Sequence, residues 1–435
     1  MPYQPPTALP ADLLKDEEMQ RALAGHDFGT VFRLARSRAG IAYARTAEAC
    51  DIKPIRVGEV ARGQGRITTF AKVVAIADAF RVPGHMVGLA PRPWEDSGAP
   101  GNVNDPKNGT AVRRRTVLQA ASSVGLAATL PALHRPASPL HVTSGYVDQL
   151  RQRTARLRCL DEILGGGDTY RVYLGEYQST KALLRDATFT PESRRRLVSL
   201  LAEQAQQAGW AAFDGGRPAD AESLYKESKA AASEADDSDL LGNALAFLAY
   251  QAPDPQVAVE LAANSCATIS HSTPAGVRAL LHERLAWASA VAGQASRTEK
   301  ALHAAHAALE EQPVGEPQPD WAAWVDETEL NIMTGRCWTE LRRPLRAVPV
   351  LIRALDRYDD HHARDKALYL SWLADSYLAV GEVEEAAAVT GRALSLASGV
   401  ASVRPRQRLT PVLQELQQHR GLGAVQDVLQ LAAGA

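Results

Sequence analysis

Two distant stretches of this chain, GWAAFDGGRPADAESLY (209–225) and ADSYLAVGEVEEAAAVTGRAL (374–394), carry one pattern: helix, glycine turn, helix. Recurrence of a supersecondary unit constrains a fold more than any local propensity, because each helix pair has an apolar face that only a neighbouring pair can cover. Weaker copies lie between them, around Ala246, Ala258 and Ser265, around Ala286, Gly293 and Ala305, and around Gly335, Trp338, Ala347 and Ala354. Taking Ala221, Ala258, Thr298, Ala347 and Ala386 as equivalent gives spacings of 37, 40, 49 and 39 residues. The long interval holds EEQPVGEPQPDW, which reads as a loop inserted between two units. Five degenerate repeats over about 200–398, followed by a capping hairpin from RLTPVLQELQQH and AVQDVLQLAAGA, predict a curved stack of helices.

Composition agrees with a folded, all-α chain. At 435 residues it exceeds what one core organises. Its 46% apolar and 23% charged content is ordinary for globular protein, and clean alternating strand patterns are hard to find. The net charge of −2 hides an asymmetry. Residues 26–92 carry eleven Lys/Arg against five Asp/Glu, whereas 143–435 carry 30 against 38. A basic module beside an acidic body suggests that only the front end meets polyanions. Cys50, Cys159, Cys266 and Cys337 lack metal-site spacing and read as small buried residues in a reducing compartment. The opening MPYQPPTALPADLL has no charged start before an apolar run, so no conventional signal peptide is expected.

The front module reads as closely spaced helices. TVFRLARSRAG (30–40) and AYARTAEACDI (42–52) are followed by KPIRVGEVARGQG (53–65), where Lys-Pro opens a helix, and by TTFAKVVAIADAF (68–80). IAYARTAEACDIKPIRVGEVARG resembles the helix-turn-helix of Xre-type, phage-repressor-like regulators. Ala47 sits where that family needs a small residue for helix crossing, Ile52 and Val57 flank the turn, and Val60 and Gly63 end the second helix. The resemblance implies that this second helix enters the DNA major groove with its N-terminal residues at base edges. Carried over onto this sequence, the DNA-contacting candidates are Tyr43, Arg45, Lys53, Pro54, Ile55, Arg56, Glu59, Arg62, Arg66, Thr68 and Thr69. Arg56 or Lys53 suits guanine or phosphate, Ile55 a thymine methyl, and Glu59 the cytosine amine. Tyr43 stands where the family usually has Gln, and Gly58 weakens the helix.

The repeats resemble tetratricopeptide units. Ala374, Tyr377, Gly381, Ala386 and Ala393 take the motif's positions in the later copy, and Gly209, Ala212, Gly216, Ala221 and Tyr225 in the earlier one. That resemblance implies an α-solenoid whose first helices line a concave binding face. The inward candidates are Gln206, Trp210, Phe213, Asn243, Phe247, Tyr250, Glu283, Trp287, Arg336 and Asp375. Their excess of Glu and Asp favours an extended peptide or a cationic, partly apolar small molecule. Asn243 is the candidate holder of peptide backbone, and the aromatics supply apolar area.

The expected organisation is an N-terminal extension (1–25), an Xre-type helix-turn-helix domain (26–92), a flexible linker with a short apolar helix (93–142, helix 113–133), a helical lead-in (143–200) and degenerate repeats with capping helices (201–435). RRRTVLQAASSVGLAATL, which begins at Arg113, looks like an export address, but a folded module precedes it. Its apolar run of about fourteen residues is short of the ~20 that span a bilayer. It reads as a joint between the two parts. GGG (165–167) reads as a helix C-cap and turn. GxxxxGK[ST], GxGxxG, GxSxG and HExxH are absent from the chain, so no enzyme, cofactor or metal site is expected.

The combined resemblance is to actinobacterial Xre-type regulators with a tetratricopeptide-like C-terminal domain. It implies a cytoplasmic, dimeric regulator that binds double-stranded DNA and senses a peptide, small molecule or protein partner, with no membrane association. The rival expectation is a non-enzymatic adaptor with a degenerate helix-turn-helix.

Overall fold

The computed structural model describes residues 5–87 (save 66, 68 and 69), 89, 92 and 94, and residues 141–433 (save 162–164, 313, 314, 316 and 399). Arg66, Thr68, Thr69 and the apolar segment at 113–133 therefore lie outside the described residues. Within the described residues the chain is nearly all helical. The exceptions in sheet are a two-residue parallel pair, β1 (His141–Val142) against β2 (Thr188–Phe189).

The front unit contains α1 (Ala11–Leu14), α2 (Glu17–Ala24), α3 (Phe28–Ala39), α4 (Tyr43–Ala49), α5 (Pro54–Ala61) and α6 (Phe70–Phe80). Asp16 caps α2 by accepting from the Glu18 and Met19 amides, and Asp27 caps α3 by accepting from Thr30 N at 3.0 Å. α3 stops at Gly40, whose φ of +67° a side chain would strain. Its core stacks Phe28, Val31 and Phe32 on Val57, Val60, Ile76 and Phe80, with Phe32 and Phe80 edge to face at 6.1 Å. Residues before 26 belong to this unit rather than extending from it. Leu9, Leu13, Met19 and Leu23 enter the same core, Leu9 N donates to Phe80 O at 2.9 Å, and Arg38 on α3 pairs with Asp16 at 2.6 Å and Glu18 at 2.9 Å. The apolar residues of ADLLKDEEMQRALA, at helical spacing, are what recruit it. Past α6, Arg92 and Trp94 both donate to Asp78, so the chain stays attached to α6 that far.

The body is an α-solenoid. Two lead-in helices, α7 (Ser144–Asp161) and α8 (Gly166–Asp186), precede five helical hairpins: α9 (Pro191–Asp214) with α10 (Pro218–Glu234), α11 (Ser238–Gln251) with α12 (Pro255–Cys266), α13 (Ala275–Val291) with α14 (Ala295–Glu310), α15 (Glu327–Glu340) with α16 (Pro344–Arg357), and α17 (Ala363–Val380) with α18 (Val383–Ala397). α19 (Arg404–Leu416) and α20 (Gly423–Ala433) cover the last hairpin. Small residues set the close approach within a hairpin. A Cβ on Gly209 would lie 2.5 Å from the Tyr225 ring, and one on Gly335 would lie 2.4 Å from Leu351. Gly216, Gly293 and Gly381 supply the positive φ of three turns, and prolines at the first position open α10, α12 and α16.

The glycine run at 165–167 starts a helix: Gly165, at φ +67°, is the N-cap of α8, and Gly166 and Gly167 open it. The reason is packing: a Cβ on Gly166 would sit 2.2 Å from the Ala211 carbonyl oxygen. Asp214, fully buried, closes this corner. It accepts from Gly166 N and from Ser402 Oγ, both at 2.8 Å, while its own carbonyl accepts from Val403 N at 3.0 Å. The segment opening α19 is thereby tied to α8 and α9, and the solenoid curls back on its own beginning.

Candidate functional site

That closure turns the concave face into a chamber of about 580 Å³. Residues at helical spacing on the first helices build its wall: Gln206 and Trp210 from α9, Asn243, Phe247 and Tyr250 from α11, Glu283 and Arg284 from α13, Glu329, Met333 and Arg336 from α15, and Arg364, Asp365 and Tyr369 from α17. Arg404 from α19, Arg158 from α7, and Asp320, Trp321 and Trp324 from the inserted loop complete it. The loop is held by Gln318, which accepts from Gly276 N at 2.8 Å, and by an Asp320–Arg158 ion pair.

Cations and rings alternate across the floor. Arg336, 3% exposed, lies 4.5 Å from the Trp287 ring centre and 4.2 Å from that of Trp372, and donates to the Tyr250 hydroxyl at 3.0 Å. Arg404 stacks on Trp210 at 4.5 Å and donates to the same hydroxyl at 2.9 Å. Arg284 covers the Tyr250 ring at 4.9 Å. Burial alone would push the Tyr250 phenol up, but the Arg336, Arg404 and Arg284 guanidinium groups pull it down to about 7.

Carboxylates face them. Glu329 accepts from Tyr358 Oη at 2.8 Å and Tyr369 Oη at 3.0 Å, and burial, reinforced by Asp365, pushes its carboxyl up to about 8. Glu283 is buried, which raises its carboxyl, and its Oε1 accepts no hydrogen bond although Arg284 Nε lies 3.6 Å away. Arg336 Nε is also buried without an acceptor.

Among the residues expected to line the groove, Gln206, Trp210, Asn243, Phe247, Tyr250, Glu283 and Arg336 face the chamber. Three do not. Phe213 packs against Trp210 and Tyr250, Trp287 backs Arg336, and Asp375 is drawn to Arg342 at 3.2 Å and Arg408 at 2.6 Å, because α19 covers that end of the face. Asn243 is engaged in structure: its amide donates to Gln206 Oε1 at 2.7 Å, and Gln206 donates to Ser228 Oγ at 3.0 Å and Leu240 O at 2.8 Å, bracing adjacent hairpins. The acidic excess in the lining is small. Seven carboxylates in the lining are opposed by six arginines. Reading along the first helices alone passed over Arg284, one position beside Glu283, along with Arg404 and Trp324, which come from the capping helix and the insertion.

In the front unit, α4 and α5 are joined by residues 50–53, with Asp51 at φ +52° and Ile52 N donating to Ala47 O at 2.8 Å. Lys53, Pro54, Ile55 and Arg56 are exposed at the start of α5, and Arg62 is exposed just past its end. Ile55 is 77% exposed, although the chain has a core within reach. Arg45 is exposed on α4. Tyr43 is half-buried under Arg36, whose guanidinium carbon lies 4.6 Å from its ring. Glu59 is half-buried and accepts from Arg56 at 3.4 Å, so its charge is compensated within the helix.

Comparison of the chain with protein-family models and with curated proteins finds no match.

Proposed function

We propose that the chain is a ligand-responsive transcriptional regulator that binds double-stranded DNA through α5 and its flanking residues and senses a ligand in the chamber. The observation that carries the DNA half is the exposed cluster Lys53, Ile55, Arg56 and Arg62 around a short helix linked by a tight turn to another. Cations beside an outstanding apolar residue suit phosphate, guanine and the thymine methyl together. Such a unit presents little area alone, so the reading includes a homodimer on paired half-sites. Among the described residues no helix is long and apolar enough to cross a membrane, which is compatible with the cytoplasmic action the reading requires. Ligand would act by its differential affinity for two curvatures of the solenoid, each setting one separation of the front units. No catalytic step is invoked.

The adaptor reading draws on one observation, the engagement of Arg56 with Glu59. Capture of genomic DNA at physiological salt separates the two. The regulator recovers a preferred sequence with the intact chain and loses it when residues 1–92 are removed. An adaptor recovers none, and recovery unaffected by the deletion would refute the role of α5.

A further inference from the structure

We propose that the chamber receives a small organic anion, a carboxylate carried on a flat apolar body, and that Arg284 is the group that meets it. This rests on the sensing half of the proposed function and narrows its ligand. Three guanidinium groups converge on Tyr250, two by hydrogen bonds to its hydroxyl and Arg284 over its ring. Arg336 and Arg404 each have a hydrogen-bond acceptor there. Arg284 does not: it is 8% exposed, lies 4.9 Å from Tyr250 and 5.7 Å from Trp324, and donates no hydrogen bond among the described residues. Its contact with Glu283 at 3.6 Å is too long for one. A guanidinium fork that opens on the chamber without a protein acceptor keeps its donors for a ligand, and a carboxylate meets its planar geometry with two oxygens at once.

The alternative, a cation seated on Glu283, fits less well. Glu283 already feels Arg284 and Arg336, so an incoming ammonium would approach two fixed positive charges. Burial, which raises the Glu283 carboxyl, also disfavours the charged form that an ammonium would need. Trp210, Phe247 and Trp324 supply apolar walls, and about 580 Å³ matches a compact molecule. The Asp214–Ser402 and Arg158–Asp320 contacts tie the ends and the insertion across the face, which disfavours a long peptide.

The test uses the intact chain with three probes of one shape: indole-3-acetate, indole-3-acetamide and tryptamine. Calorimetric titration is expected to rank the carboxylate about tenfold or more ahead of the amide, with the amine weakest, since a hydrogen bond to a charged group is stronger than one to a neutral group. Arg284→Gln is expected to lose about that tenfold, and Arg284→Lys to recover part of it. Tyr250→Phe, which releases donors of Arg336 and Arg404, should bind the carboxylate at least as tightly as the wild type. Equal binding of amide and carboxylate, preference for the amine, no binding by any of the three, or an Arg284→Gln affinity equal to wild type would each overturn the proposal. If Arg284→Gln does not fold, the ranking on the wild-type chain still decides. The measurement contains no DNA, so its failure leaves the DNA-reading surface standing, and failed DNA capture leaves this ranking intact.

Discussion

The two parts of the chain treat charge in opposite ways. On the front unit arginines stand in water, and their ion pairs, such as Arg38 with Asp16 and Glu18, join exposed groups. Pairs of that kind contribute little to stability. In the body Arg336, Arg284 and Glu283 are withdrawn from solvent, Arg336 lies between rings and donates to Tyr250, and Glu329 accepts from two tyrosine hydroxyls. There each charge is costly unless its partner stays, so the same residue types become structural and selective. Sequence composition sees one mildly acidic body; the structure sets six arginines among the seven carboxylates that line its chamber.

The sharpest way to break this contrast is to remove a charge from each side. Arg336→Met is expected to lower stability by about 3 kcal/mol or more in denaturant unfolding, because it removes one of the two donors to the Tyr250 hydroxyl and the cation held between Trp287 and Trp372. A loss no larger than a surface substitution would show that the chamber's charges are not held as described. Gly209→Ala should cost about 1–3 kcal/mol by forcing a methyl into the Tyr225 ring, and an unchanged midpoint would contradict the hairpin packing. Arg56→Ala should leave the unfolding midpoint within about 0.5 kcal/mol while weakening duplex binding by about 1–3 kcal/mol at one base position.

Acidity gives a subtler comparison. The Glu329 carboxyl is raised from 4.5 to about 8, so the unfolded chain releases that proton first and stability falls as pH rises between those values. The Tyr250 phenol is lowered from 10.0 to about 7, so stability recovers as pH rises from about 7 towards 10. Glu329→Gln should remove the decline and Tyr250→Phe the recovery. Tyrosinate absorbance appearing near neutral pH, and missing in Tyr250→Phe, would report the same group directly. Neither change in the pH profile would mean that the guanidinium cluster does not surround Tyr250.

The helices and the repeat unit were legible because they depend on neighbours close in sequence. Pro54, Pro218 and Pro344 at helix starts and Gly216, Gly293 and Gly381 in turns act within a few residues. The first-helix positions also brought seven chamber residues into view, since a stacked array repeats its inward face. What escaped depends on distance along the chain. Ser402 reaches Asp214 and Arg404 reaches Tyr250 only because accumulated curvature returns the last hairpin to the first. The same long-range contact explains the glycines at 165–167, whose lack of side chains admits Ala211 and Ala401 rather than ending a helix. The packing of the residues before 26 escaped for a related reason, as Leu9 meets Phe80 far ahead in the chain.

The most direct trial of the whole account is selection from a random duplex library by the intact chain, beside a chain carrying Ile55→Asp and Arg56→Ala. Both residues are exposed, so both proteins should unfold alike. The account predicts that the wild type enriches one sequence at physiological salt and that the variant enriches none. Enrichment of the same sequence by both, or of no sequence by the wild type, would contradict it.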